Sequence, residues 1–285
     1  MRLAVRYFPA RRGELVLHDR SGGLFSLYCQ VLGSLFVSDL LKCSLRLRFK
    51  NGDYRTPSAH EGWWTQFFET SIYDSDRNRD GKSVELPATK SSARFAHLGV
   101  GMNRSIAHSL CNRIRIKADI LGSISSFEKM HLLGRPALGV HYRGTDKLIA
   151  EAVRVPYLSM IETLSRMDSS IIFFVATDEQ AFLEAMIEHF GSRVVYLDHH
   201  RSHDGTPVHH FDSDHESLGY IRGREAIMDA VLLARCKGIM RTRSNLSLAS
   251  TFFNPSIPAL IIDPKENNWK QAVVDKLEQA LLNNT

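Results

Sequence analysis

The chain has 285 residues, 44% hydrophobic, 24% charged and 9% aromatic. That is the composition of a globular protein with a substantial core, and it excludes disorder, collagen and coiled coil. The formal charge of +5, from 36 Lys+Arg against 31 Asp+Glu, favours phosphate-bearing partners. No RNP motif, zinc finger or basic helix accompanies it, so nucleic acid is not an expected partner. Cys29, Cys43, Cys111 and Cys236 form no CxxC pair, which leaves neither a disulfide scaffold nor a zinc ribbon; they read as reduced core thiols. Residues 1–20 are charged throughout and lack an apolar run, so the expectation is a cytoplasmic protein without a membrane span.

The first half reads as α/β. Strands near 2–7 or 14–18 precede SGGLFSLYCQVLGSLFVSDLLK (21–42), a buried helix that starts at a Ser-Gly-Gly turn. GGLFS fits a plain strand-to-helix turn better than a phosphate turn. SLRLRF (44–49) alternates like a strand, and WWTQFFE (63–69) is an aromatic core segment or part of an acceptor groove. DSDRNRDGKS (74–83) reads as a surface loop, 103–133 as helical, and Gly134-Arg135-Pro136 as a hinge.

The second half alternates short apolar runs with helical patterns, the grammar of a parallel sheet with crossover helices. Strand PALGVHY (136–142) is followed by helix PYLSMIETLSRM (156–167) and strand SIIFFVAT (170–177). Helix EQAFLEAMIEHF (179–190), closed by Gly191, leads to strand RVVYLD (193–198). A polar loop over 199–221 precedes helix REAIMDAVLLARCKG (224–238), strand GIMRT (238–242), helix SNLSLASTFF (244–253) and strand IPALIID (257–263). The tail, NNWKQAVVDKLEQALL (267–282), is a last helix whose Trp269, Val273, Leu277 and Leu281 need a surface to cover.

In an open α/β sheet ligands bind beyond the carboxyl ends of the strands, so the residues just after each strand carry the chemistry. Here they are His141, Arg143 and Lys147, with Glu151 four residues further, then Asp178, Asp198, and Thr242, Arg243, Ser244 and Asn245. Two strand ends offering Arg143, Lys147 and a Ser/Asn-capped helix make a pyrophosphate cradle. Taken singly, an Arg143–Asp146 surface pair and a Ser244 that merely caps its helix explain the same residues; their joint placement on one sheet edge favours the cradle.

GVHYRGTDK (139–147), VATDE (175–179), the helix carrying Asp229, and RTRSN (241–245) resemble successive motifs of the fucosyltransferases that use GDP-fucose, in particular the inverting α1,6 type acting on the N-glycan core or nodulation factors. The resemblance covers about residues 136–263. It implies a GT-B architecture, two facing Rossmann-like domains, and the segmentation then reads as 1–134 on the acceptor side, 135–264 binding the GDP-sugar, and 265–285 a crossover helix packing back on the first domain. It implies further that Arg143 holds the donor diphosphate, that Glu151 is the catalytic base, that His141 and Asp229 contact guanosine, and that Ser244 binds the β-phosphate. Asp178 matches the acidic residue after its strand, and Lys147, Thr242 and Asn245 complete the donor-binding set. No cofactor and no metal are expected, only GDP-fucose as donor and a glycan or glycoconjugate as acceptor.

Aspartate also suits guanine physically, because N1–H and the exocyclic amine form a donor pair that one carboxylate accepts together. The core-type enzymes usually carry a second arginine where this chain has Gly144, so that contact is missing or comes from Lys147, Arg222 or Arg243. The anchor, stem and SH3-like domain of the animal enzymes have no counterpart, which points to a minimal bacterial-type or viral-type enzyme. His199, His200, His203, His209, His210 and His215 crowd one loop with Asp198, Asp204, Asp212 and Asp214, but no HxxxH or HExxH frame organises them. The loop reads as a pH-sensitive cover over donor or acceptor. The competing functions are a GT-B enzyme with another nucleotide sugar and a non-catalytic nucleotide-sugar or glycan-binding protein on the same fold.

Overall fold

The computed structural model describes residues 14–19, 22–50, 53–54, 62–69, 83–86, 97–144, 157–203 and 218–262, with Asp275, Leu277 and Gln279 of the tail. The chain forms two compact units, Met1–Ile120 with Ser213–Arg224, and Leu121–Asp212 with Glu225–Thr285. Gly134-Arg135-Pro136 lies inside the second unit; Gly134 has φ +75°.

In the first unit, β1 (Glu14–His18) pairs in parallel with β2 (Ser44–Arg48) on one side and with β4 (Ser83–Leu86) on the other. Strand β4 was not legible in the sequence, where its first residue falls in a polar stretch. Between β1 and β2 runs α1 (Leu24–Leu41), whose apolar residues face nearly all directions. Its length and composition match a membrane span, yet 67% of it is buried inside the protein, as befits a core helix. The stretch read as one helical region is two helices, α2 (Arg104–Cys111) and α3 (Ala118–His131), separated by β5 (Arg115–Ile116). The break follows from a non-local contact, because β5 pairs antiparallel with β3 (Phe68–Glu69) and the Lys117 N–H donates to the Phe67 carbonyl.

Trp63 and Trp64, on a single 3-10 turn, are completely buried among Tyr28, Phe49, Phe67 and Phe68, so WWTQFFE is core. Trp63 stacks on Phe49 at 5.3 Å and donates its Nε1–H to Asp19 Oδ2 at 2.9 Å. Burial pushes the thiols of Cys29 and Cys111 up to about 12; these two and Cys236 are free and buried in the core as expected, whereas Cys43, also free, is only partly buried.

The second unit is a five-stranded parallel sheet in the order β10-β9-β6-β7-β8. Its strands are β6 (Ala137–Tyr142), β7 (Ile172–Thr177), β8 (Val194–Tyr196), β9 (Gly238–Arg241) and β10 (Ala259–Ile261). Every residue of β6, β7 and β9 is buried, because helices cover both faces of a parallel sheet; this is why these strands read as mostly apolar rather than alternating, with His141, Thr177 and Arg241 as polar members at or near their carboxyl ends. The connecting helices are α4 (Tyr157–Leu164), α5 (Gln180–Phe190), α6 (Leu218–Arg235) and α7 (Asn245–Phe253). Leu138, Val140, Phe173, Val175, Phe182 and Met240 share one core cluster, and Leu277 of the tail is seated in it. The tail reading has this helix covering the first domain, whereas Leu277 packs within the second unit, where a Cβ on Gly238 would meet its Cδ2 at 2.9 Å.

Helix α6 starts six residues before the expected Arg224, inside the stretch read as loop. The extra turns belong to the first unit, where Tyr220 stacks on Phe67 at 5.5 Å and 9°. At Gly223 a Cβ would come within 2.3 Å of the Phe67 ring, so only glycine allows this approach without displacement.

Candidate functional site

Chain order runs outward from β6 to β7 and β8, then returns to place β9 and β10 on the other side of β6. The order therefore reverses between β6 and β9, and the crevice at their carboxyl ends is the place where an open α/β sheet binds its ligand. Arg143 and Gly144 leave β6 there, and Thr242, Arg243 and Ser244 leave β9.

Hydrogen bonds hold the two exits together. The Arg143 N–H donates to Thr242 Oγ1 at 3.0 Å, and the Thr242 N–H donates to the His141 carbonyl at 3.0 Å. On the other flank, Gly144 N–H donates to Asp178 Oδ1 at 3.0 Å, while Arg143 Nε faces Asp178 Oδ2 at 3.6 Å. Asp178 thus holds both the backbone and the guanidinium of the Arg143 turn. Thr242 is buried with its hydroxyl engaged by that turn, which gives it a bracing role beside the donor-binding one expected of it. His141 is buried at the second-last position of β6, in register with Arg241.

Ser244 is the N-cap of α7, accepting from the Leu246 N–H at 3.3 Å, and Asn245 opens the helix. The hydroxyl that accepts this bond still has its own proton to donate, so capping and phosphate binding are compatible. Arg241 lies buried beneath the same turn, with Nη1 at 3.4 Å from the Ser244 carbonyl and 3.3 Å from Ser247 Oγ. A buried guanidinium beside a helix N-terminus adds to the positive potential already made by the N–H groups of its first turn. Lys147 and Glu151 lie outside the described residues, as does Asp146.

The absence of a side chain at position 144 has a structural counterpart. A Cβ there would sit 2.4 Å from Glu179 Cδ, and Glu179 is buried. The space that a larger residue would need is occupied by that carboxyl group. At the start of α1 the equivalent turn is also filled: Gly22 N–H donates to Asp53 Oδ2 at 3.0 Å and Leu24 N–H to Tyr54 Oη at 2.8 Å. GGLFS is accordingly a strand-to-helix turn with protein groups in the anion position.

Asp229 lies on α6, one turn before Leu233, whose Cδ2 lies 2.8 Å from the place a Cβ on Gly139 of β6 would occupy. Since α6 returns the chain to a strand parallel with β6, four residues toward its N-terminus lift Asp229 by about 6 Å, roughly two strand residues. That is the level of His141, near the mouth of the crevice. Its Oδ2 stands 3.4 Å from His199 Nδ1, with the two side chains 15% and 10% exposed. His200 Nδ1 lies 3.2 Å from Glu225 Oε1, one turn earlier on α6. Burial disfavours the charged form of His199, but the Asp229 and Glu225 carboxylates outweigh it and raise the imidazole above its ordinary value, against an opposing contribution from Arg201.

A raised histidine stabilises the fold fully below the ordinary imidazole value and ceases to do so as pH rises through the raised one. The melting temperature of the wild type should therefore fall relative to that of His199→Asn as pH rises from below the ordinary imidazole value through the raised one. Parallel pH profiles for the two proteins would contradict this. Among the described residues no three His, Cys, Asp or Glu side chains come together as a metal-binding group. His203 is described and exposed, whereas His209, His210 and His215 lie outside the described residues.

No family model matches the chain, and no curated protein sequence does. Solved structures do match. NodZ α-1,6-fucosyltransferase soaked with GDP-fucose aligns with a TM-score of 0.61 at 14% identity, over 88% of this chain and 95% of that one. An Arabidopsis thaliana FUT1 mutant in complex with GDP gives 0.56 at 8% identity, covering 93% and 75%. The glycosyl transferase family 9 protein from Veillonella parvula gives 0.52 at 9%, covering 97% and 99%.

The fold is GT-B. Within this GT-B chain the crevice holds residues that sequence reading passed over. Arg241 is one, although a cation in a strand buried on both faces is itself a signal. Glu179, the second residue after the buried β7, is an anion that is itself buried. Arg201 carries none, and for His199, singled out only as one of the loop's histidines, the sequence gives no sign of its partner Asp229, because the loop is polar throughout and its partners on α6 are remote in sequence.

Proposed function

We propose that the chain is an inverting glycosyltransferase that moves L-fucose from GDP-fucose to a hydroxyl of a glycan or glycoconjugate acceptor. The observation that carries this reading is the Arg143 turn joined to the Ser244-capped helix at the switch point of a GT-B sheet. Proteins solved with GDP or GDP-fucose share that fold. In this scheme departure of GDP builds negative charge on the β-phosphate. The fork of Arg143, the N-terminal N–H groups of α7 and the Ser244 hydroxyl meet that charge, with Arg241 behind them. Asp229 accepts the paired donors of guanine, and His141 lies beside the nucleoside.

Glu151 takes the proton of the acceptor hydroxyl as its oxygen attacks the anomeric carbon. The new C–O bond forms while the bond from that carbon to the β-phosphate oxygen breaks, so configuration inverts and GDP leaves with the electron pair. The scheme uses no metal and no cofactor. Four free cysteines suit a reducing compartment, and a cytosolic setting is part of the proposal. A different nucleotide sugar is the competing reading, since a family 9 glycosyl transferase structure shares the fold as well.

Calorimetric titration with GDP, GDP-fucose, GDP-mannose and UDP-glucose, in the presence of EDTA, separates the two. Selective binding of GDP and GDP-fucose is expected; preference for UDP-glucose or for no nucleotide would sink the fucosyl reading. Glu151→Gln should keep GDP affinity yet lower transfer by about 10²–10⁴-fold, the usual contribution of a positioned base. Unchanged transfer by this variant would assign the base elsewhere.

A further inference from the structure

A carboxylate that reads guanine must offer both oxygens in the plane of the base, so its rotation about the Cβ–Cγ bond is part of recognition. Asp229 is held in this respect by one loop. His199 Nδ1 stands 3.4 Å from Oδ2 of Asp229, and both side chains are largely buried. The loop itself is braced: the His199 N–H donates to the Leu197 carbonyl at 2.9 Å, and the His199 carbonyl accepts from Arg201 Nη1 at 3.0 Å. Arg201 also donates to the Leu197 carbonyl, and its guanidinium lies over the Tyr196 ring at 5.4 Å. The next residue repeats the pattern, with His200 on Glu225, four residues before Asp229 and so on the same face of α6. Two consecutive histidines thus clasp two successive carboxylates of one helix.

We propose that His199 is a positioning residue for base selection: it fixes the plane of the Asp229 carboxylate so that the pair of N–H donors of guanine is read in preference to a single donor. The inference rests on the GDP-sugar reading above. It extends that reading to a loop residue outside the strand-end motifs, and assigns part of the histidine-rich segment a role in donor choice.

The test compares GDP with inosine diphosphate, which keeps N1–H and lacks the exocyclic amine, by calorimetry on the full chain. Wild type should prefer GDP by roughly tenfold or more, the discrimination expected of a bidentate pair. In His199→Ala the preference should shrink several-fold, through loss of GDP affinity with inosine diphosphate nearly unchanged. His199→Asn, whose amide nitrogen can stand in for Nδ1, should restore most of it, which a merely structural role would not predict. If wild type binds no guanine nucleotide, the donor reading falls and the proposal falls with it. If wild type prefers GDP and His199→Ala keeps the same ratio, or loses both nucleotides equally, the donor reading stands and the role of His199 is overturned. Melting curves of both variants identify any that fail to fold, and Asp229→Asn in the folded background must then lose the GDP preference for the proposal to stand.

Discussion

Arg143→Ala is expected to reduce transfer by about 10²–10³-fold, the loss typical of removing one preorganised donor from a developing oxyanion. The loss should appear in kcat and in kcat/KM together, because the charge that Arg143 meets is largest when GDP departs. Arg143→Lys should recover little, since an ammonium lacks the fork that spans two phosphate oxygens. The fold should survive both changes. The guanidinium is a quarter exposed, and its partner Asp178 keeps the Gly144 N–H. Steady-state kinetics with thermal melting decides the matter; near-normal turnover in a folded Arg143→Ala protein would remove this residue from the mechanism.

Trp63→Ala should destabilise the protein by about 3–5 kcal/mol, the range for deleting a large aromatic side chain from a core. Since domains hold only about 5–15 kcal/mol in total, such a loss would leave the first unit close to unfolding. Trp63 has no exposed surface, stacks on Phe49, and satisfies the buried carboxylate of Asp19. Trp63→Phe keeps most of the apolar contact and removes only that donor, so it should cost about 1–3 kcal/mol. Urea unfolding with an unchanged m-value measures both. Equal losses for the two variants would mean that the hydrogen bond, not the packing, sets the energy of the site.

These two residues differ in how far they were legible. Arg143 announced itself because it follows a short, mostly apolar run of strand length, the look of a parallel strand covered on both faces. The same logic located Asp178 and Ser244. Trp63 left two readings open, since an aromatic cluster serves a core and a sugar platform equally well until its neighbours are known. Helix α6 was placed too late because its first turns carry Gly219 and Gly223, poor helix formers, and what secures them is the ring of the distant Phe67. Strand β5 has two residues, too few to carry any period.

Local sequence therefore determined the alternation of strands and helices in the second unit, the residues that emerge at its carboxyl edge, and the cap of α7. These depend on burial patterns and on contacts within a few residues, which repeat along the chain. The tertiary structure alone decided that Thr242 braces the Arg143 turn across 99 residues, that Glu179 occupies the space beside Gly144, and that His199 meets Asp229. A side chain's type limits which partners it can have, but the identity of a partner depends on how the strands are ordered in space.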